Sequence, residues 1–377
     1  VSIDTGGIRR WANDLQRIGR ELWRDLKTLL RPGPRLVDQI EAVASVLLAI
    51  LLAQLAGARN VGWAAFSGYM VIRSHLSTSM QRAALRVLGT LVGALAGYAM
   101  AIHVAGHPVW TSMALGLVVT GTMYMVLVSR RTYAWLFTGL TFLMIVADTL
   151  GAQELPPRAY AISRVVEILV GTGASLLVSL VSSCTLRRWV PGQLPKPATS
   201  YRGWHGAAAW HALQAGVAAM LIPCFAHWIA MPTLTQAGVT VMAVMAVPLA
   251  SVEAPGNMVS TRMVHRFLGC SLGGLLAMGI LLVCHHDPVL ITLGLCAGVA
   301  IGRHIENGAH KLGYVGVQFA LAFLVVLVPD HYANASIQPG LERLAGIMLG
   351  FVLLLLARAV FMAGRTQLPR LLGRGSS

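Results

Sequence analysis

Six arginines set in or beside apolar stretches are the residues of this sequence best suited to chemistry. Arg82 and Arg86 form one Arg-x-x-x-Arg pair and Arg262 and Arg266 form another, while Arg164 and Arg343 stand near the start of two further apolar runs. A guanidinium stays charged at physiological pH and grips a carboxylate with parallel N–H donors. Holding one at the centre of a bilayer costs about 2.5–3.5 kcal/mol on insertion scales, so such residues need a reason. One reason is that their long stems let the charge snorkel to lipid headgroups. The other is a cationic constriction at each mouth of a pathway, with Arg82, Arg86, Arg262 and Arg266 at one edge and Arg164 and Arg343 at the other, recruiting an anion. The spacing alone leaves both open.

Glu167 follows Arg164 by three residues, which places both on one helix face. It reads either as half of a structural ion pair or as a carboxylate that couples proton movement to transport. Gly346 stands at the matching place beside Arg343, so any coupling through Glu167 is asymmetric. Gln318 lies inside an apolar run, and a buried amide must find partners, either a substrate or a neighbouring helix.

Other chemistries are poorly provided for. Cys184, Cys224, Cys270, Cys284 and Cys296 lack metal-type spacing and form no disulfide framework. His285 and His286 are adjacent and cannot share a helical face, and His304 and His310 read as solvated loop residues. No Ser-His-Asp set or carboxylate pair stands out. Neither an enzyme nor a resident cofactor or metal is expected. Gly89, Gly93 and Gly97, like Gly294, Gly298 and Gly302, recur every four residues and read as stripes for close helix packing rather than a nucleotide loop.

The elements that hold these residues must be membrane helices. Of 377 residues 56% are hydrophobic and only 11% charged, against about 25% charged in soluble domains. The fold class expected is all-α: a polytopic membrane protein of about twelve spans in two parallel six-helix repeats. Spans fall near 40–58, 61–73, 83–104, 109–128, 133–149 and 160–182, then near 206–225, 237–250, 265–284, 288–302, 312–328 and 341–362. The second of each set is short and is tilted, re-entrant or broken. Five segments follow: a cytoplasmic amphipathic N-terminal region (1–37), a first membrane repeat (38–183), a linker (184–204), a second repeat (205–362) and a basic cytoplasmic tail (363–377). Ile8, Trp11, Leu15, Ile18, Leu22, Leu26 and Leu29 make the N-terminal helix amphipathic, either lying in the bilayer interface or packing on the membrane domain. The first long apolar run begins near residue 40, so no cleavable signal peptide is expected.

The formal charge of +15 has a topological cause rather than nucleic acid as partner. With both termini in the cytoplasm, all of the 29 basic residues except Arg59, Arg158, Arg164 and Arg343 fall on the inner side.

The two halves echo each other. Arg82-Ala-Ala-Leu-Arg86-Val-Leu-Gly89 matches Arg262-Met-Val-His-Arg266-Phe-Leu-Gly269 at an offset of 180, with Gly93 and Leu95 answered by Gly273 and Leu275. Tyr133, Leu140 and Phe142 answer Tyr314, Leu321 and Phe323, and Arg164 with Gly171 answers Arg343 with Gly350. An even number of spans per half makes the repeats parallel, related by an axis along the membrane normal.

On these motifs, and on Tyr-Ala-Trp-Leu-Phe-Thr-Gly-Leu-Thr-Phe at 133–142 and Arg-Val-Val-Glu-Ile at 164–168, the chain resembles the fusaric acid resistance family of aromatic acid exporters over roughly residues 38–362. Plant aluminium-activated malate channels are distantly similar. The resemblance implies export of aromatic or other organic acid anions across the bacterial inner membrane, driven by the proton gradient, with a periplasmic adaptor protein and the lipid bilayer as partners. A homo-oligomer is compatible with it. Larger members of that family carry a cytoplasmic domain between the halves, where this chain has only a short linker. A passive anion channel and a non-transporting membrane scaffold remain the alternatives.

Overall fold

In the computed structural model of the protein, residues 5–151, 156–192, 203–253, 258–284, 287–328 and 336–372 are described, with side chains from residue 16 to residue 362 except that of Glu253. Among the described residues the regular structure is helical, without strands. The helices are α1 (Thr5–Leu26), α2 (Pro34–Leu55), α3 (Val61–Val71), α4 (Leu76–Val104), α5 (Pro108–Val128), α6 (Thr132–Asp148), α7 (Pro157–Cys184) and α8 (Leu186–Trp189). There follow α9 (Gly206–Met220), α10 (Met231–Met245), α11 (Leu249–Glu253), α12 (Met258–Val283), α13 (Pro288–Glu306), α14 (Gly313–Leu327) and α15 (Gln338–Leu372).

Local sequence explains where the chain turns. Helices α2, α5, α7 and α13 each open on proline, whose fixed φ suits a first helical position and whose missing N–H is not needed there. Gly33, at φ 148°, supplies the bend before Pro34 that side-chain-bearing residues rarely adopt. Asp287 caps α13 by accepting from the Val289 and Leu290 N–H groups at 2.8 and 3.1 Å. The apolar run expected to continue through 250 instead stops at Met245, because Pro248 cannot continue a helix, and resumes as α11.

Among the described residues eight helical segments are long and apolar enough to cross a bilayer: α2, α4, α5, α7, α9 with the turn to Phe225, α12, α13 and the Gln338–Met362 part of α15. Helices α6, α10 and α14 are apolar but shorter. Helix α3 has 11 residues, roughly 16 Å of rise against a hydrocarbon layer of about 30 Å. The protein is thus a multi-pass, all-helical membrane protein.

Two groups of helices, α2–α7 and α9–α15, meet along two seams, one of α5 against α9 with α6 against α10, the other of α2 against α13 with α3 against α14. Small residues set the close crossings. A Cβ on Gly89 would lie 2.4 Å from the Ala134 carbonyl oxygen, and one on Gly269 would lie 2.5 Å from that of Val315. Likewise Gly171 abuts Ala64 and Gly350 abuts Ala237. Such contacts bring backbones together where lipid offers no hydrophobic drive for association. One apolar core joins α5, α6, α9, α10 and α15, and a second joins α2, α3, α13 and α14.

The amphipathic α1 uses its apolar face on protein. Ile18 and Leu22 pack on Ile305, Leu312 and Val315 at one end of α13 and α14. The positions Ile8, Trp11 and Leu15 lie outside the described side chains, as do His285, His286 and the tail beyond 362.

Candidate functional site

Each arginine pair on α4 and α12 reaches across its own helix group to a short helix. Arg82 lies 5.1 Å from the centre of the Tyr133 ring and donates to the Met70 carbonyl at 3.5 Å, while the Tyr133 hydroxyl donates to the same carbonyl at 3.4 Å. The arrangement recurs in the other group. Arg262 lies 5.0 Å from the Tyr314 ring centre and donates to the Ala243 carbonyl at 3.2 Å, and the Tyr314 hydroxyl donates to that carbonyl at 3.4 Å.

One turn deeper the two groups diverge. Arg86, 1% exposed, donates through Nη2 to Ser67 Oγ at 2.9 Å and stands 3.7 Å from the Phe137 ring centre and 5.4 Å from that of Phe66. Its Nε and Nη1 are buried without a hydrogen-bond partner. Arg266, 2% exposed, donates through Nε to Thr240 Oγ1 at 3.2 Å and through Nη1 to Gln318 Oε1 at 2.8 Å, leaving Nη2 buried and unpartnered. Gln318 therefore bonds a neighbouring helix. Buried Cys270 sits 3.5 Å from the same Gln318 oxygen.

Arg164 and Arg343 complete the two clusters, and both are buried. The Arg164 guanidinium lies 4.9 Å from the ring centres of both Trp63 and Tyr160 and 3.3 Å from Glu167 Oε2. Glu167, fully buried, also accepts from Ser163 Oγ at 2.5 Å and from the Asn60 N–H at 3.3 Å. Arg343 reaches Gln236 Oε1 at 3.5 Å.

These contacts revise the expected depths. Arg86 is ten residues into α4, since that helix starts at Leu76 rather than near 83. Arg86 and Arg164 touch Ser67 and Trp63, one turn apart on α3, and Arg266 and Arg343 touch Thr240 and Gln236, one turn apart on α10. The arginines expected at opposite mouths thus gather around one short helix in each group, because α3 and α10 are too brief to hold them apart.

Among the described residues no carboxylate pairs with Arg82, Arg86, Arg262, Arg266 or Arg343. Aromatic faces and carbonyl or hydroxyl oxygens hold them instead. Such partners are worth up to about 2 kcal/mol each when desolvated, and they do not cancel a charge. At Arg86 and Arg266 an anion can therefore bind without first breaking an ion pair, whereas at Arg164 it competes with Glu167.

A second buried charge cluster went unread in the sequence. Arg187 on α8 pairs with Asp38 and with Glu41, 2.6 Å away on Oε2, both at the start of α2. Burial alone would lower the Arg187 pKa, but the hydrogen bonds and charges of Glu41 and Asp38 outweigh it and the pKa is raised. Asp38 further accepts from Ser74 Oγ and Asn307 Nδ2, each at 2.7 Å, and Glu41 accepts from Ser182 Oγ. Glu306 accepts from Arg73, Arg303 and Tyr69, each at 2.9 Å. A 30 Å³ space, room for about one water, lies among Asp38, Glu41, Arg73 and Arg303. The cluster ties α2 and α3 of the first group, and α8 after it, to α13 of the second. The missed signal was Asp38 with Glu41 and Arg303 with Glu306, two i, i+3 sets at the ends of apolar runs.

His304 departs from expectation. It is 1% exposed, inside α13 rather than in a solvated loop, because that helix runs on to Glu306. Its ring bonds Gln39 Nε2 at 2.8 Å and the Asp25 carbonyl at 2.8 Å, so it anchors the end of α1. A larger groove of about 730 Å³ opens between α4, α5 and α6, and neither space is lined by Arg86, Arg164, Arg266 or Arg343.

The arginine clusters fall within regions shared with known proteins. The model of a family described as fusaric acid resistance protein-like matches residues 48–178 and 256–357, most of the chain, taking in all six arginines and Gln318. The chain belongs to that family. The fusaric acid resistance match leaves out residues 179–255, and with them α9 and α10, so the polar partners Gln236 and Thr240 lie outside it. No curated protein and no solved structure matches this chain.

Proposed function

We propose that this protein is a proton-coupled secondary transporter of the bacterial inner membrane that exports aromatic or other organic acid anions. The observation that carries the reading is the pair Arg86 and Arg266: buried cations with unpartnered N–H groups and no carboxylate, at matching places in two helix groups. An organic acid supplies the missing charge and acceptors, and its apolar body suits the rings of Phe66 and Phe137.

In this reading the chain crosses the membrane twelve times as two parallel six-helix repeats. Support comes from matching contacts in the two groups: Arg82 on Tyr133 and Arg262 on Tyr314, Gly89 on Ala134 and Gly269 on Val315, Gly171 on Ala64 and Gly350 on Ala237. Both termini face the cytoplasm, which puts nearly all basic residues inside. The clusters lie within the groups rather than between them, so exposing them in turn to the two sides takes movement of the short helices α3 and α10 inside each group as well as rocking along the α5–α9 and α2–α13 seams. Glu167 takes the role of proton carrier, being the carboxylate built into an arginine cluster. A periplasmic adaptor is its expected partner.

Purified protein in liposomes, loaded with a radiolabelled benzoate-type acid, tests this. Efflux driven by an imposed pH gradient and lost in Arg86→Ala and Arg266→Ala is expected. Single-channel currents with no response to the gradient would replace the transporter by a channel. Absence of any anion flux would leave a scaffold.

A further inference from the structure

The groove between α4, α5 and α6 lies apart from the arginine clusters and has its own chemistry. Leu85, Leu88 and Val92 form one wall, Met125 and Val128 another, and Trp135 a third, with a volume of about 730 Å³. Leu88 and Val92 are about half exposed. Arg130 and Arg131, both exposed, stand at its rim in the short α5–α6 turn, and no acidic residue lines it.

In the other group α1 covers part of the corresponding place, while Leu272, the counterpart of Val92, stays exposed. Val315 sits against Gly269 as Ala134 sits against Gly89. Val315, Ile305 and Leu312 lie beneath Ile18 and Leu22 of α1. Among the described residues nothing of this chain covers the groove. An apolar slot of this kind, open beside membrane-crossing helices, is filled by an acyl chain. Two positive charges at its rim, with no acidic residue lining the groove, complement an anion at the head of that chain. The N-terminal helix of a second copy is a poor fit, because the exposed charges on its described part, Arg17, Arg20 and Arg24, meet Arg130 and Arg131 with like sign.

We propose that this groove is a binding site for an anionic phospholipid, with its acyl chain along Leu88 and Val92 and its phosphate held by Arg130 and Arg131. The site stands whether or not the arginine clusters carry organic anions.

The test is native mass spectrometry of the full-length protein in detergent with equal amounts of phosphatidylglycerol and phosphatidylcholine. The wild-type protein retains phosphatidylglycerol with a preference on the order of tenfold, two arginines each adding attraction to an anionic headgroup. Arg130→Gln with Arg131→Gln brings the two lipids near parity, and Leu88→Trp, which fills the slot, lowers retention of both. The pair Arg17→Gln with Arg20→Gln leaves the preference intact, which separates this site from general surface charge. A preference unchanged in the Arg130/Arg131 variant would overturn the proposal. So would displacement of the lipid by inorganic phosphate, which would make the rim a free-phosphate site. A dimer that sheds lipid and is broken by Leu88→Trp would give the groove to a second copy instead.

Discussion

Arg86 stacks on Phe137, 3.7 Å from its ring centre, where Arg266 donates to Gln318 Oε1 at 2.8 Å. One sequence position thus offers a π face in one helix group and an amide oxygen in the other. If the clusters hold organic anions as proposed, the first suits an apolar guest and the second a more hydrated one.

This difference predicts opposite costs on removing the two charges. Arg86→Met loses the ring contact but strands no buried acceptor apart from Ser67, so the melting temperature should change little. Arg266→Met leaves Gln318 and Thr240 buried without their donor and should cost about 1–3 kcal/mol. Adding Gln318→Leu to Arg266→Met should recover much of that loss. Both single variants should bind an organic anion more weakly by roughly tenfold or more, as charge-assisted bonds are worth about 1.5–3 kcal/mol. Thermal unfolding in detergent and equilibrium binding check the pair. Equal destabilisation by Arg86→Met and Arg266→Met would contradict the contrast.

Much of this architecture was legible before any coordinates. Each expected apolar run contains a helix in the structure, since long apolar runs are local signals, although the run near 237–250 breaks after Met245 and the one near 206–225 ends its α-helix at Met220. The arginine contacts were legible only in part. Spacing marks Arg86 as intramembrane, but whether it snorkels or turns inward depends on Ser67 and Phe137, which come from other helices. Arg187 illustrates the harder case. It reads as an ordinary loop cation, and only the fold brings it to Asp38 and Glu41, 149 and 146 residues away. His304 was misread because its helix was ended too early.

The Arg187 cluster should be structurally costly to break. Arg187→Ala leaves Asp38 and Glu41 buried without their main cation, and the loss should be about 3–5 kcal/mol. Replacing all three, with Asp38→Asn, Glu41→Gln and Arg187→Met, removes the charges together and should recover most of it. Urea or thermal unfolding of the single and triple variants gives the comparison. A triple variant no more stable than the single one would mean that the carboxylates matter for contacts beyond Arg187.

Glu167 separates proton coupling from plain structure. Glu167→Gln keeps the shape and can still accept from Ser163, but it cannot take up and release a proton. Transport by this variant should continue down an anion gradient and lose its response to a pH gradient. Measuring initial efflux at several imposed gradients decides the matter. A lower melting temperature with an unaltered gradient response would make Glu167 a structural partner of Arg164 only.

Two glycines on α7 test whether close helix approach, rather than helix propensity, sets stability here. A Cβ on Gly171 would fall 2.1 Å from the Ala64 carbonyl oxygen, a backbone atom that cannot step aside. Gly173, two residues on, has nothing within 4 Å of that point. Alanine favours a helix interior over glycine by about 1 kcal/mol. Gly173→Ala should therefore be neutral or stabilising by up to that amount, while Gly171→Ala should destabilise by about 1–3 kcal/mol through overpacking. The Gly171 change also pushes α3 away from α7, carrying Ser67 and Trp63 off Arg86 and Arg164. Anion binding should then fall in Gly171→Ala and hold in Gly173→Ala. If both variants unfold and bind alike, the α3–α7 crossing is not what positions the first arginine cluster.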